Sequence, residues 1–184
     1  MLGTGYDTRA YGSLKRDGLR TFEVDQEATQ RLKRTGLERA GIDASHVTFV
    51  SVDFSRDDAF ERLAQAGFDP GRKTLFLWEG VTLYLEREYV VRTLQGVRDN
   101  APAGSTLVMD VYAQRFVDFA NRPRNRKALE LTGEQVSFGL PFETDARKEL
   151  ERLATGAGLR LGETRFLGAH DPRGPYAAVA ELSI

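Results

Sequence analysis

Three carboxylates close three successive apolar runs: Asp25 in "TFEVDQ", Asp53 in "VSVDF" and Glu79 in "TLFLWEG". A glycine-rich turn, "MLGTGYDTRAYG", precedes them. Polar groups at the carboxyl ends of successive strands lie where open α/β sheets take their ligands. Gly3 and Gly5 let the backbone come close to a ligand, and a helix starting near Asp7 would add its positive end. In a dinucleotide fingerprint a third glycine follows Gly5 by three residues. That position is Thr8, which disfavours a pyrophosphate and leaves a nucleoside without phosphates. Asp25 is placed to accept both ribose hydroxyls of an adenosine; its other reading is the N-cap of a helix beginning at Gln26. Asp53 could accept from an adenine amino group with Phe54 beside the ring, or act as another cap. Asp7 and Arg9 are expected to pair and brace the loop, and Arg9 is a candidate to bind a ligand carboxylate; the other reading is a plain surface ion pair.

These residues need strands to present them. Extended runs occur at Thr21 to Val24, Val47 to Val52, Thr74 to Trp78 and Ser105 to Val111, then near Leu159 to Phe166 and Ala177 to Ile184. Helical patterns alternate with them. Val90, Val91, Leu94 and Val97 form one apolar stripe and Leu150, Leu153, Ala154 and Ala157 another. Apolar strands separated by helices predict a parallel sheet covered on both faces. The stretch "LGAHDPRGPY" before the final strand is too short for a crossover helix, so that strand is expected to be antiparallel.

Composition narrows the chemistry. The 184 residues, 41% hydrophobic and 29% charged, are expected to form a single domain, 1–184. A formal net charge of −1 gives no global attraction to nucleic acid or an anionic membrane. With no cysteine there is no disulfide, thiolate metal site or cysteine nucleophile, and two histidines argue against a histidine metal centre. No apolar run approaches ~20 residues and no signal peptide is evident, which predicts a cytoplasmic protein without a membrane span.

The motifs "LGTGYDTRAY", "FEVD", "VDF" and "LFLWEGVTLYL", in this order, resemble the leucine carboxyl methyltransferase family, with its many bacterial S-adenosylmethionine-dependent members. The resemblance covers residues 2–111 well and the remainder loosely. It implies a Rossmann-like class I methyltransferase: a three-layer α/β sandwich with a mostly parallel sheet and an antiparallel last strand. It also implies that Gly3, Gly5 and Asp25 hold S-adenosylmethionine, that Asp53 and Phe54 meet the adenine, and that Glu79 lies near the methionine end. The sulfonium and ammonium groups there give Glu79 a counter-charge; otherwise it ends its strand in solvent. Relative to the family, the first strand and N-terminal helices are expected to be largely missing. The chain alone is accordingly expected to be marginally stable and a poor binder of the cofactor.

An alcohol acceptor would benefit from a histidine base, whereas a carboxylate is already ionised at neutral pH. His46 and His170 are poorly placed for that role, which favours a carboxylate of a small molecule or a peptide terminus. Residues 112–143 are expected to form a lid-like insertion. Tyr84, Tyr112, Phe116 and Phe142 are the candidate substrate contacts, and Arg122, Arg124, Arg126 and Lys127 form a basic cluster. Phe119 and Phe138 belong to the same segment, and the phenylalanines have a core reading as well. No catalytic residue and no metal ligand is assigned. The alternatives are a binding-only or inactive remnant, and a nicotinamide-dependent oxidoreductase.

Overall fold

The computed structural model describes residues 1–125 and 135–184. Its strands fall into two sheets rather than the one expected, and the chain divides into two compact units, Met1–Pro70 and Gly71–Ile184.

The first unit is a β-α-β-α run: β1 (Thr21–Asp25), α1 (Glu27–Arg39), β2 (Val47–Ser51) and α2 (Ala59–Gln65). The two strands are parallel, paired from Thr21–Val47 to Asp25–Ser51, with α1 as the crossover that parallel pairing requires. The other edge of β1 is occupied too. Leu2 bridges Val24, with Gly3 N–H donating to Val24 O (2.7 Å) and Val24 N–H to Met1 O (2.9 Å). Leu2, Val24, Val50, Val52 and Phe60 are buried. The inward stripe of α1 is unusual because two of its three buried residues, Gln30 and Lys33, are polar, the third being Leu37. Gln30 donates its amide to the carbonyls of Glu23 (2.9 Å) and Val50 (2.8 Å), stitching α1 to both strands. Asp58 caps α2 through the amides of Phe60 and Glu61.

The second unit contains β3 (Leu75–Trp78), α3 (Arg87–Asp99), β4 (Thr106–Tyr112), α4 (Gln114–Ala120), α5 (Phe142–Gly156), β5 (Arg160–Leu167) and β6 (Ala177–Ser183). Its sheet has the order β3-β4-β6-β5. β3 and β4 are parallel, and β6 runs antiparallel to both β4 and β5. The short 168–176 loop permits only that return, as the sequence implied. Val90, Leu94 and Val97 on α3 are fully buried, as are Ala154 and Ala157, while Leu150 and Leu153 are nearly so. The first turn of α5 breaks at Asp145, whose backbone is extended (φ −153°, ψ 89°) and whose carboxylate accepts from Lys148 N–H (3.0 Å).

Candidate functional site

In the first unit the glycine turn is built around Asp25. Gly3 and Gly5 adopt φ of +67° and +46°, a region open to glycine at little cost. Around Gly5 a Cβ would meet nothing within 4 Å, so conformation rather than crowding calls for glycine there. The amides of both glycines are taken within the protein. Gly3 donates to Val24 O, and Gly5 donates to Asp25 Oδ2 at 2.6 Å. Asp25 Oδ1 accepts from Gln26 N–H (2.7 Å). The capping reading of Asp25 fails in detail: α1 starts at Glu27 after Gln26, and no side chain caps it.

The helix expected near Asp7 is also absent. Only a single 3-10 turn, Arg9–Tyr11, follows, too short to carry a significant dipole. The reason is local, because Asp7 captures Arg9. Its Oδ1 accepts the Arg9 amide (2.8 Å) and its Oδ2 the guanidinium Nε (2.8 Å), which is the bracing pair the sequence suggested. Burial would raise the Asp7 carboxyl, but the two Arg9 contacts outweigh it and hold the group below the usual range.

The end of this loop is fastened from three sides. His46 Nε2 lies 2.9 Å from Ala10 O; facing a carbonyl, that nitrogen must carry the proton. Tyr11 meets His46 edge-on at 6.0 Å, and Lys33 Nζ sits 5.5 Å from the Tyr11 ring. Lys33 also lies 2.7 Å from Glu23 Oε2, with the two side chains 3% and 0% exposed. That contact is ionic rather than an aligned hydrogen bond. Burial, followed by the Glu23 charge, pushes the Tyr11 phenol well above its ordinary range.

Asp53 lies just past β2, on the same sheet edge as Asp25. Its Oδ1 accepts from the Ser55 amide (3.0 Å) and hydroxyl (2.6 Å), a local turn and not a helix cap, since Asp58 caps α2. Phe54 is 6% exposed and belongs to the core of this unit.

In the second unit the "EG" motif lies just past β3. Glu79 is half-buried, and Gly80 has φ +69°. The residue that organises the turn is one the motif reading missed, Asp110 on β4. Both Asp110 oxygens accept from Gly80 N–H (3.0 and 2.9 Å), and Thr82 Oγ1 donates to the Asp110 carbonyl (2.9 Å). Tyr112 Oη lies 3.3 Å from Asp110 Oδ2. Burial raises the Asp110 carboxyl above its ordinary value; Glu79 adds to the shift, and the Gly80 and Tyr112 contacts oppose it. Burial first, then Asp110, pushes the Tyr112 phenol up to about 12.

Among the candidate substrate contacts, Tyr112 and Phe116 come together, with ring centroids 5.2 Å apart. Both pack against the buried cluster of Leu83, Val117 and Val136. Tyr84 is 40% exposed. Phe142 is different: it is 2% exposed and meets Phe166 edge-on. Phe138 is buried as well, whereas Phe119 is exposed. Described residues of the expected lid bond to Leu83 and to one another. Ser137 N–H donates to Leu83 O (2.7 Å), Leu140 N–H to Tyr112 O (2.9 Å) and Gln114 N–H to Leu140 O (2.7 Å). Of the basic cluster, Arg122 and Arg124 are described, and Arg126 and Lys127 lie outside the described residues. Among the described residues no group of three or more His, Asp or Glu side chains could hold a metal, and no helix is long and apolar enough to cross a membrane.

Comparison with known proteins agrees with this architecture. The family model for leucine carboxyl methyltransferase matches residues 1–98. "Putative S-adenosyl-L-methionine-dependent methyltransferase YktD" of Bacillus subtilis is 31% identical over 170 residues, covering 89% of this chain and 54% of that protein. A similarly named protein of Saccharopolyspora erythraea is 37% identical over 116 residues, covering 61% of this chain and 39% of its own length. The chain thus spans about half or less of the length of these relatives. The solved structure of LaPhzM aligns with a TM-score of 0.61 at 15% identity, over 99% of this chain and 48% of that one. Magnesium protoporphyrin IX methyltransferase from Synechocystis, solved with bound S-adenosylhomocysteine, gives 0.60 at 12% identity, over 99% and 71%. The fold is the class I methyltransferase α/β fold, with its antiparallel final strand.

Proposed function

The chain belongs to the leucine carboxyl methyltransferase family, and from that premise we propose that it serves S-adenosylmethionine-dependent methylation of a carboxylate, on a small molecule or a peptide terminus. The observation that carries the cofactor assignment is the pairing of Asp25 with the Gly5 amide. An ionised carboxylate offers about four lone-pair directions, and two are used here by backbone amides. The remainder suit a pair of ribose hydroxyls, and the open space at Gly5 suits close approach of a nucleoside. Asp53 Oδ2, which among the described residues meets Arg56 Nε at 3.6 Å, is the proposed acceptor for an adenine amino group. From the family resemblance, Glu79 is the proposed counter-charge for the cofactor's cationic end, and Arg9 the candidate for its carboxylate. Tyr84, Tyr112 and Phe116 are the proposed acceptor contacts.

Bound S-adenosylmethionine supplies an electrophilic methyl group: a carboxylate oxygen forms the new O–CH3 bond as the S–CH3 bond breaks and S-adenosylhomocysteine leaves. The protein's part is proximity, orientation and electrostatics, with no proton to remove from an ionised acceptor. The acceptor class is tested with methyl-labelled S-adenosylmethionine and a panel of carboxylic acids, phenols and peptides. Label in a base-labile ester, released as methanol by alkali, is the expected result. Label stable to alkali would replace the carboxylate by a hydroxyl or amine acceptor.

A further inference from the structure

Asp110 is a charged residue in an apolar strand, between the buried side chains of Met109 and Val111. For β4 alone an apolar residue there would be less costly, because a half-buried carboxylate loses hydration. Its carboxylate and its carbonyl both reach the motif that follows β3. It grips the Gly80 amide with both oxygens, holds the Thr82 hydroxyl through its own carbonyl, and meets the Tyr112 hydroxyl. Thr82 is fully buried and Gly80 is in the left-handed region, so the backbone leaving β3 is pinned on both sides of Val81. Trp78 pairs with Met109 in the parallel ladder, which brings Glu79 and Asp110 out of neighbouring strands at the same level.

We propose that Asp110 is a positioning residue for Glu79: by holding the Gly80 amide it fixes the turn on which Glu79 is carried toward the cofactor's cationic end. The inference rests on the functional reading above and adds a residue to it. Asp110 acts through the turn rather than by touching the cofactor. The raised carboxyl of Asp110 fits this arrangement, since Glu79 is one of the groups that raise it.

The test uses the whole chain with Asp110→Ala, Asp110→Asn, Glu79→Gln and the double variant Glu79→Gln/Asp110→Ala. Exchange of the Gly80 amide is read by NMR, and affinity for S-adenosylmethionine and S-adenosylhomocysteine by calorimetry. Asp110→Ala should speed Gly80 exchange and weaken S-adenosylmethionine binding by about tenfold, the size expected for a lost charge-assisted hydrogen bond. Asp110→Asn, whose amide oxygen still accepts, should retain most of the protection and affinity. The double variant should bind no more weakly than Glu79→Gln. Equal Gly80 exchange in wild type and Asp110→Ala, unchanged affinity in that variant, or losses that simply add in the double variant would overturn the proposal while wild-type binding persists. A wild-type chain that takes up neither compound overturns the functional reading and this inference with it.

Discussion

Replacing Asp25 by alanine removes a carboxylate with two separable tasks. One oxygen accepts the Gly5 amide at 2.6 Å and the other the Gln26 amide at 2.7 Å, and both retain capacity for the ribose hydroxyls of a bound nucleoside. Losing charged hydrogen bonds to those hydroxyls should cost about 1.5–3 kcal/mol of binding, about ten- to a hundredfold in Kd. The cost to stability should be smaller, about 1 kcal/mol, because Asp25 is only half-buried and water can satisfy the freed amides. Calorimetric titration with S-adenosylhomocysteine, run beside thermal melts, separates the two effects. A large loss of affinity in a variant that still melts cooperatively is expected. An unchanged Kd would mean that Asp25 does nothing but tie down Gly5, and would refute the reasoning.

Four further outcomes follow from the same geometry. Glu79→Gln should weaken S-adenosylmethionine binding about as much as Asp25→Ala, the loss of a charged contact, with its melting curve unchanged; wild-type affinity would remove Glu79 from the site. Lys33→Met should cost about 3–5 kcal/mol in urea unfolding, because Glu23 is left fully buried without its ion-pair partner, and Glu23→Leu alongside it should restore much of that. Gly139→Ala should destabilise by about 1–3 kcal/mol, since the new Cβ would stand 2.6 Å from the backbone Cα of Gln114. Asp171 is held well below the usual carboxylate range by the Arg173 side chain and amide. Its stabilisation is therefore fully present above the unfolded value of ~4 and is lost as pH falls toward the depressed folded value. The Tm gap between wild type and Asp171→Asn should narrow as pH drops below ~4; a constant gap would contradict the pairing.

The strands were legible because β-branched and aromatic runs bounded by turn residues leave few alternatives, and each observed strand lies within a residue or two of its expected bounds. The direction of β6 followed from loop length alone. Asp25 and Glu79 were found because they end apolar runs. What the sequence did not show was where their hydrogen bonds go. Gly5 donates to Asp25 and not outward, and Asp7 takes Arg9 into a 3-10 turn instead of starting a helix. These are choices among nearby partners that spacing does not resolve. Asp110 and Glu23 did leave a signal, an acid flanked by apolar residues inside a strand, but only pairing across the sheet and with α1 supplies Gly80 and Lys33 as their partners. The burial of Phe142 against Phe166 was not legible either, because aromatic residues in a late segment read alike whether they face a ligand or a neighbouring ring.

The most direct measurement is a calorimetric titration of the 184-residue chain with S-adenosylhomocysteine and, in parallel, with NADH, each accompanied by a thermal melt. Weak but saturable one-site heat and a raised Tm with S-adenosylhomocysteine, and neither with NADH, is the expected result. Heat with NADH alone, or with neither compound, would contradict the assignment of Gly3, Gly5 and Asp25 as an S-adenosylmethionine site.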